Sequence, residues 1–219
     1  MSGLFVTFEG IEGSGKSTQI QKLGYALNRE GLSTVVTREP GGTPIGEKIR
    51  EIILDKNYQK MASKTELFLY LSSRAQHIAE LIQPSLEKGE IVISDRFSDA
   101  TLAYQGNGRG RDTEQLNQLN SFILNGLEPD LTFLLDIDVS KGLSRIKKRG
   151  PLNRLDQENL EFHQRVREGY LQIAKENPKR IQVLSGGNDS ETIHKEIMQI
   201  LIPYLTDYRQ SGKGLKKKT

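Results

Sequence analysis

Gly10-Ile11-Glu12-Gly13-Ser14-Gly15-Lys16-Ser17 follows the apolar run Leu4–Phe8 and opens a segment of helical period from Lys16 to Arg29. The spacing is G-x-x-x-x-G-K-[ST], and its strand–turn–helix setting gives it weight. Glycines let backbone N–H groups converge on phosphate oxygens with no Cβ in the way. The helix N-terminus adds unpaired donors and the positive end of a dipole. Lys16 is placed to reach the β- and γ-phosphates of a nucleoside triphosphate, and the Ser17 hydroxyl to hold Mg²⁺. Gly10 to Ser17 are therefore expected to cradle the triphosphate.

Outward from this turn, short apolar runs alternate with longer segments of 3.6-residue period, the pattern of βαβ units on a parallel sheet. Strands are expected at Leu4–Phe8, Ser33–Thr37, Glu90–Ser94, Leu131–Asp136 and Ile181–Leu184. Helices are expected near Lys16–Arg29, Ile45–Leu54, Thr65–Lys88, Thr113–Gly126, Ser140–Lys148, Gln157–Glu176 and Ser190–Asp207. The strands are nearly continuous in apolar character, as when helices cover both faces of a sheet. Arg38–Thr43, Gln105–Asp112 and Arg149–Asp156 lack periodicity and read as loops at the ligand-binding edge.

Composition narrows the classes further. The 219 residues include no Cys, which excludes a disulfide framework, thiolate metal sites and a cysteine nucleophile. No apolar stretch approaches a membrane span and no leader-like segment opens the chain, so a cytoplasmic location without membrane attachment is expected. Lys+Arg 31 against Asp+Glu 28 leaves +3, but four lysines stand at Lys213 and Lys216–Lys218, so the rest is at −1. A nucleic-acid-binding face would carry its excess on the folded body, so none is expected. Residues 1–209 read as one domain and 210–219 as a disordered basic tail.

Triphosphate binding does not define a reaction; the next carboxylate and the arginines do. Ile91-Val92-Ile93-Ser94-Asp95-Arg96 is an apolar strand ending in an acid at the same sheet edge, which makes Asp95 the partner of Ser17 at a metal. Arg96 beside it suits a second anion rather than a cation. A regulatory GTPase would carry N-K-x-D, which is absent. Leu184-Ser185-Gly186-Gly187-Asn188 resembles an ABC-type signature but lies far beyond Asp95, and is better read as a strand end leading to a helix cap at Asp189 or Ser190. A non-catalytic nucleotide module would need no second anion site. Arg38, Arg50, Arg74, Arg96, Arg149 and Arg154 all fall in or beside the edge segments, and guanidinium forks suit phosphate oxygens. A small-molecule kinase is the class that uses them.

Here the chain resembles the thymidylate kinases of bacteria, from Leu4 to about Tyr204. The motifs are Thr37-Arg38-Glu39-Pro40-Gly41-Gly42-Thr43, Asp95-Arg96-Phe97, Leu102-Ala103-Tyr104-Gln105-Gly106 with Arg109-Gly110, and Arg154-Leu155-Asp156-Gln157-Glu158. The resemblance implies a P-loop NTPase fold with a five-stranded parallel sheet, helices on both faces, a small lid at about 146–157, and a homodimer. It implies transfer of the ATP γ-phosphoryl group to dTMP, giving dTDP and ADP for dTTP synthesis. Gly10–Ser17 would hold ATP with Thr18 adjacent, and Glu12 would face the acceptor sugar. Tyr70 would stack on thymine and Arg74 read its edge. The two are four residues apart and so share a helix face. Thr101 and Gln105 would lie near base and acceptor, and Arg38 and Arg96 would grip the monophosphate, with Arg50 assisting.

The variable loop positions Ile11, Glu12, Gly13 and Ser14 carry no cation, whereas Arg149 and Arg154 stand in the lid, which resembles the lid-arginine variant. Arg154 is the first choice for the transition-state contact. Lys16, Asp95, Arg96, Arg149 and Arg154 make up the expected catalytic set. A phosphomonoester acceptor has its second pKa near ~6 and attacks as a dianion, so no general base is required. From the residues alone, another nucleoside monophosphate, or a small hydroxylated metabolite with Asp95 as base, stays open as acceptor.

Overall fold

The computed structural model describes residues 3–210. Five strands, β1 (Leu4–Glu9), β2 (Thr34–Arg38), β3 (Ile91–Asp95), β4 (Leu131–Asp136) and β5 (Ile181–Ser185), form one parallel sheet in the order β2-β3-β1-β4-β5. Each expected strand is present, within a residue or so at either end. β1 is central, pairing with β3 (Val6 opposite Ile93) and with β4 (Val6 opposite Leu131). Order therefore reverses across β1, and the crevice at the carboxyl ends of β1, β3 and β4 is the natural ligand site.

Alternate residues of the sheet serve opposite cores. Val6, Phe8, Ile91, Phe133 and Leu135 pack on Ile20, Leu23 and Leu27 of α1 (Lys16–Arg29) and Ile197 and Leu201 of α9 (Ser190–Gln210). On the other face Phe5 and Val92 meet Ile82 and Leu86, while Leu134 meets Phe162, Val166 and Tyr170 of α8 (Leu160–Glu176). Both faces of the central strands β3, β1 and β4 are buried, which is why these read as unbroken apolar runs, whereas the edge strands β2 and β5 leave Val36 and Val183 exposed.

α2 (Pro44–Leu54) starts at a Thr43 cap whose Oγ1 accepts from Gly46 N–H, with Pro at the first position, where a missing N–H does no harm. The long helix expected over Thr65–Lys88 is α3 (Ser63–His77), a π-helical turn Ile78–Ile82 and α4 (Gln83–Glu87). Pro84 has no N–H to give to the preceding turn, consistent with the widened register just before it. The first real departure follows β3. Residues read as a loop from Gln105 are helical to Gly108: α5 (Ser98–Thr101) runs into a π-helical segment Leu102–Gly108. Its Gly106 and Gly108 hid the helix from propensity, while packing against α8 enforces it. α6 (Thr113–Leu124) is capped by Asp112, and α7 (Val139–Arg149) by Asp138. α8 begins at Leu160 rather than Gln157 because Asn159 caps it, its Oδ1 accepting from Phe162 N–H. Gln210 closes α9, so the proposed tail from 211 onward lies outside the described residues. No helix among the described residues is long and apolar enough to cross a membrane.

Candidate active site

The phosphate loop connects β1 to α1 as expected. Gly13 and Gly15 hold φ of 74° and 101°, in the left-handed region that favours glycine. A Cβ on Gly13 would lie 2.2 Å from the Gly142 carbonyl oxygen, so α7 and the loop approach backbone to backbone. Lys16 is buried and donates to Gly10 O (2.9 Å) and Ile11 O (3.0 Å), spanning the loop. Burial and the nearby Arg96 cation push Lys16 down to about 8. A phosphate oxyanion placed against it would favour the charged form and reverse the shift. The Ile11 side chain is not part of the cradle; it is buried against Val139 and Phe162, and only its backbone faces the loop.

Ser17 Oγ donates to Asp95 Oδ2 at 3.2 Å, which joins the two residues expected at a metal. The described residues hold no group of three or more His, Cys, Asp or Glu side chains fit for a metal ion. A hydroxyl and one carboxylate fit Mg²⁺ all the same, because that ion is commonly held by one or two protein oxygens together with phosphates and water.

These residues open onto a cleft of about 670 Å³ that also takes in Arg38, Arg50, Tyr70, Arg74, Arg96, Thr101 and Gln105. The size suits a ligand pocket. Arg38, half exposed, pairs with Glu47 at 2.8 Å, and Arg50 donates to Pro40 O. Burial and the Arg38 charge push Arg50 below its ordinary value, the mark of cations gathered without full neutralisation. Tyr70 lines the cleft rather than the core. Arg74 is 1% exposed, and four of its five N–H groups are engaged, by Glu39, Thr101 Oγ1, Asn120 and Phe97 O. It is thus aimed at the cleft floor by Glu39, which Arg74 and His77 hold below the usual carboxylate range despite burial.

Arg96 sits at φ 75°, unusual for a residue with a side chain. Its turn is fixed by Arg96 N–H donating to Phe8 O, Ser94 Oγ–H donating to Arg96 O, and Phe97 N–H donating to Glu9 Oε1. Its two terminal nitrogens donate to Gly10 O, Tyr170 OH, Glu12 Oε1 and Tyr104 OH, all at 2.8–3.0 Å. Only Nε–H is left for an anion. This refines the expectation of a two-nitrogen grip: Arg96 is a fixed wall of the acceptor side, and the freer forks belong to Arg38 and Arg50. Burial alone would raise Glu12, but Arg96 and Lys16 overcome it, so this carboxylate stays ionised.

Arg154 departs most from its expected place. The structure does not bring it to the phosphate loop: its Nε donates to Ile53 O, its N–H to Leu54 O, and its Nη2 lies 2.6 Å from Glu66 Oε2. A buried carboxylate and the open carbonyls ending α2 offer this cation partners that solvent-facing loop sequence does not reveal. Asn153, Leu155 and Asp156 around it do line the cleft. Arg149 ends α7, and its side chain lies outside the described residues.

Four residues in the site were given no role from the sequence. Arg145 donates to Gly13 O and Gly186 O, tying α7 to the loop and to the turn after β5. Its only signal is that it precedes Arg149 by one helical turn. Tyr104 lay inside a quoted motif, Tyr170 inside an ordinary helix, and Glu9 one residue before the loop. Glu9 Oε2 accepts from Tyr170 OH, and burial with the Asp99 charge pushes Glu9 up to about 7. A carboxyl raised this way keeps a proton in the folded chain that the unfolded chain releases, so its contribution to stability falls as pH rises from about 4.5 to about 7. Tm is expected to drop across that interval, and to drop less in Glu9→Gln. Equal slopes in calorimetry would contradict the assignment.

Comparison with known proteins bears on the same residues. A family model described as thymidylate kinase matches residues 8–197. A thymidylate kinase of Halothermothrix orenii is 49% identical over 200 residues, 90% of this chain and 95% of that protein. That of Carboxydothermus hydrogenoformans is 50% identical over 201 residues, covering 92% and 98%. A crystal structure of thymidylate kinase from Ehrlichia chaffeensis superposes with a TM-score of 0.75 at 37% identity, covering 92% of this chain and 99% of that one. The chain belongs to the thymidylate kinase family.

Proposed function

We propose that the chain transfers the γ-phosphoryl group of ATP to dTMP, yielding dTDP and ADP, by direct in-line displacement within this cleft. The observation that carries the reading is one cavity lined both by the phosphate loop and by Arg38, Arg50 and Arg96. ATP lies on Gly10–Thr18, and the acceptor phosphate lies against the three arginines. Tyr70, Arg74, Thr101 and Gln105 supply an aromatic face and polar edges for the base, while ionised Glu12 accepts from the sugar hydroxyl. Ser17 and Asp95 would hold Mg²⁺, which supplies charge neutralisation on the phosphate oxygens. The dianionic acceptor needs no base, so the protein contributes position and charge. Arg149, by its place in the lid sequence, is the remaining lid arginine of the proposed catalytic set.

A coupled ADP-release assay across nucleoside monophosphates and hydroxylated metabolites tests the reading. Turnover with dTMP well above the others is expected; ATP binding without turnover, or preference for an alcohol, would overturn it.

The proposed assembly is a homodimer. Phe68 on α3 and Phe122 on α6 are 54% and 82% exposed, and Leu119 and Ile123 are only partly buried against Leu67, Leu71 and Leu116; exposed apolar surface of this kind costs free energy in water. Light scattering on a sizing column is expected to give twice the chain mass, and Phe122→Glu to shift it to the monomer. A monomeric parent chain would remove the proposal.

A further inference from the structure

Glu66 is 1% exposed, and no step of the proposed reaction uses it. Four side-chain nitrogens nevertheless converge on it. Its Oε1 accepts from Gln105 Nε2 (3.2 Å) and Arg109 Nε (3.1 Å), and its Oε2 from Arg109 Nη2 (3.0 Å), with Arg154 Nη2 at 2.6 Å. Arg109 reaches on to Glu158 at 2.7 Å. Two cations and two anions thus close a neutral cluster that spans α3, the π-helical segment and the distal limb of the lid. Burial would raise Glu66, but Arg109 and Arg154 hold it below the ordinary carboxylate range. Each side of the cluster ends in a cleft wall: Gln105 on the acceptor floor, and Asn153 and Leu155 flanking Arg154 on the lid.

We propose that Glu66 is a positioning residue that latches the distal limb of the lid to the acceptor floor, so that dTMP binding and lid order are coupled through Gln105, Glu66 and Arg154. The proposal rests on the acceptor assignment above for the identity of the ligand, but not for the latch itself. A buried carboxylate shared between two arginines has two ways to respond when one partner moves. A hydrogen bond between dTMP and the Gln105 amide alters the pull on Oε1, and that change is felt by Arg154 on Oε2. Groups joined in one network couple in this non-additive way.

The test uses the full chain and its Glu66→Gln variant, which keeps shape and one acceptor oxygen but removes the charge. Hydrogen exchange is read over 152–156, with and without dTMP. Without ligand, these amides are expected to exchange at least about 10-fold faster in the variant, because the limb loses its charged anchor. With dTMP, the parent lid gains protection and the variant lid does not, while KM rises for dTMP and stays within about twofold for ATP. Unchanged exchange in the free variant, or full dTMP protection of its lid, overturns the latch. A merely structural role would shift both KM values together. Should Glu66→Gln not fold, Arg154→Gln breaks the same anchor from the lid side with the same expectations. A parent chain that ignores dTMP, yet loosens its lid in the variant, would sink the acceptor reading and leave the latch standing.

Discussion

Gly13→Ala is expected to lower kcat/KM for ATP by at least about 10²-fold while leaving the fold intact. The added Cβ would stand 2.2 Å from the Gly142 carbonyl oxygen, well inside any tolerated contact, and both sides of that contact are backbone. No side chain can swing away; the loop or α7 must move by about an ångström to restore van der Waals distance. A displacement of that size at a reacting centre costs about 10²-fold in rate. Left-handed strain at φ 74° adds about 1–2 kcal/mol. Gly31 separates the two causes, since its φ is 78° but no atom lies within 4 Å of its notional Cβ. Gly31→Ala should lose stability by a similar amount in urea titration and keep its activity. If the two variants behave alike in steady-state kinetics, the close approach of α7 to the loop is not what shapes the cradle.

Arg96→Ala should be nearly as damaging, and on the other substrate. Four donated hydrogen bonds disappear, and among the described residues the Glu12 carboxylate keeps only Tyr104 as a hydrogen-bond partner. Truncating one member of a desolvated charge pair costs about 2–5 kcal/mol, which corresponds to roughly 30-fold to several thousand-fold in kcat/KM for dTMP. Arg96→Lys is expected to recover little, because one ammonium cannot reach Gly10 O, Tyr170, Glu12 and Tyr104 from two planar nitrogens at once. Loss confined to ATP affinity would contradict the assignment of Arg96 to the acceptor side.

Legibility from sequence followed the range of the interactions. The phosphate loop and all five strands depend on local chemistry, glycine conformation and apolar runs, and could be read to within a residue or so. Ser17 and Asp95 could be paired because each ends or follows a strand whose carboxyl end is fixed by topology. The lid could not be resolved in this way. Arg149 and Arg154 are five residues apart and chemically identical in sequence. What separates Arg154 is a carboxylate 88 positions away in the chain, Glu66, together with the carbonyls of Ile53 and Leu54. The π-helical segment Leu102–Gly108 was obscured by two glycines that lower helix propensity, of which Gly108 admits Phe162 and Val166 of α8 and Gly106 admits Leu116 and Thr113 of α6 at close range. Arg96 was legible as an anion-facing residue, yet one of its terminal nitrogens is engaged by Gly10 and by Tyr170, 74 residues later, and the other by Glu12 and Tyr104.

The proposed reaction is a direct handover of a phosphoryl group between two adjoining anion subsites. Stereochemistry at the transferred phosphorus tests this most directly. With ATP made chiral by oxygen isotopes at the γ-phosphorus, the dTDP formed should carry the inverted configuration at its β-phosphorus, as a single in-line displacement requires. Retained configuration would mean that the group first rests on the protein, and would contradict the arrangement described for this cleft.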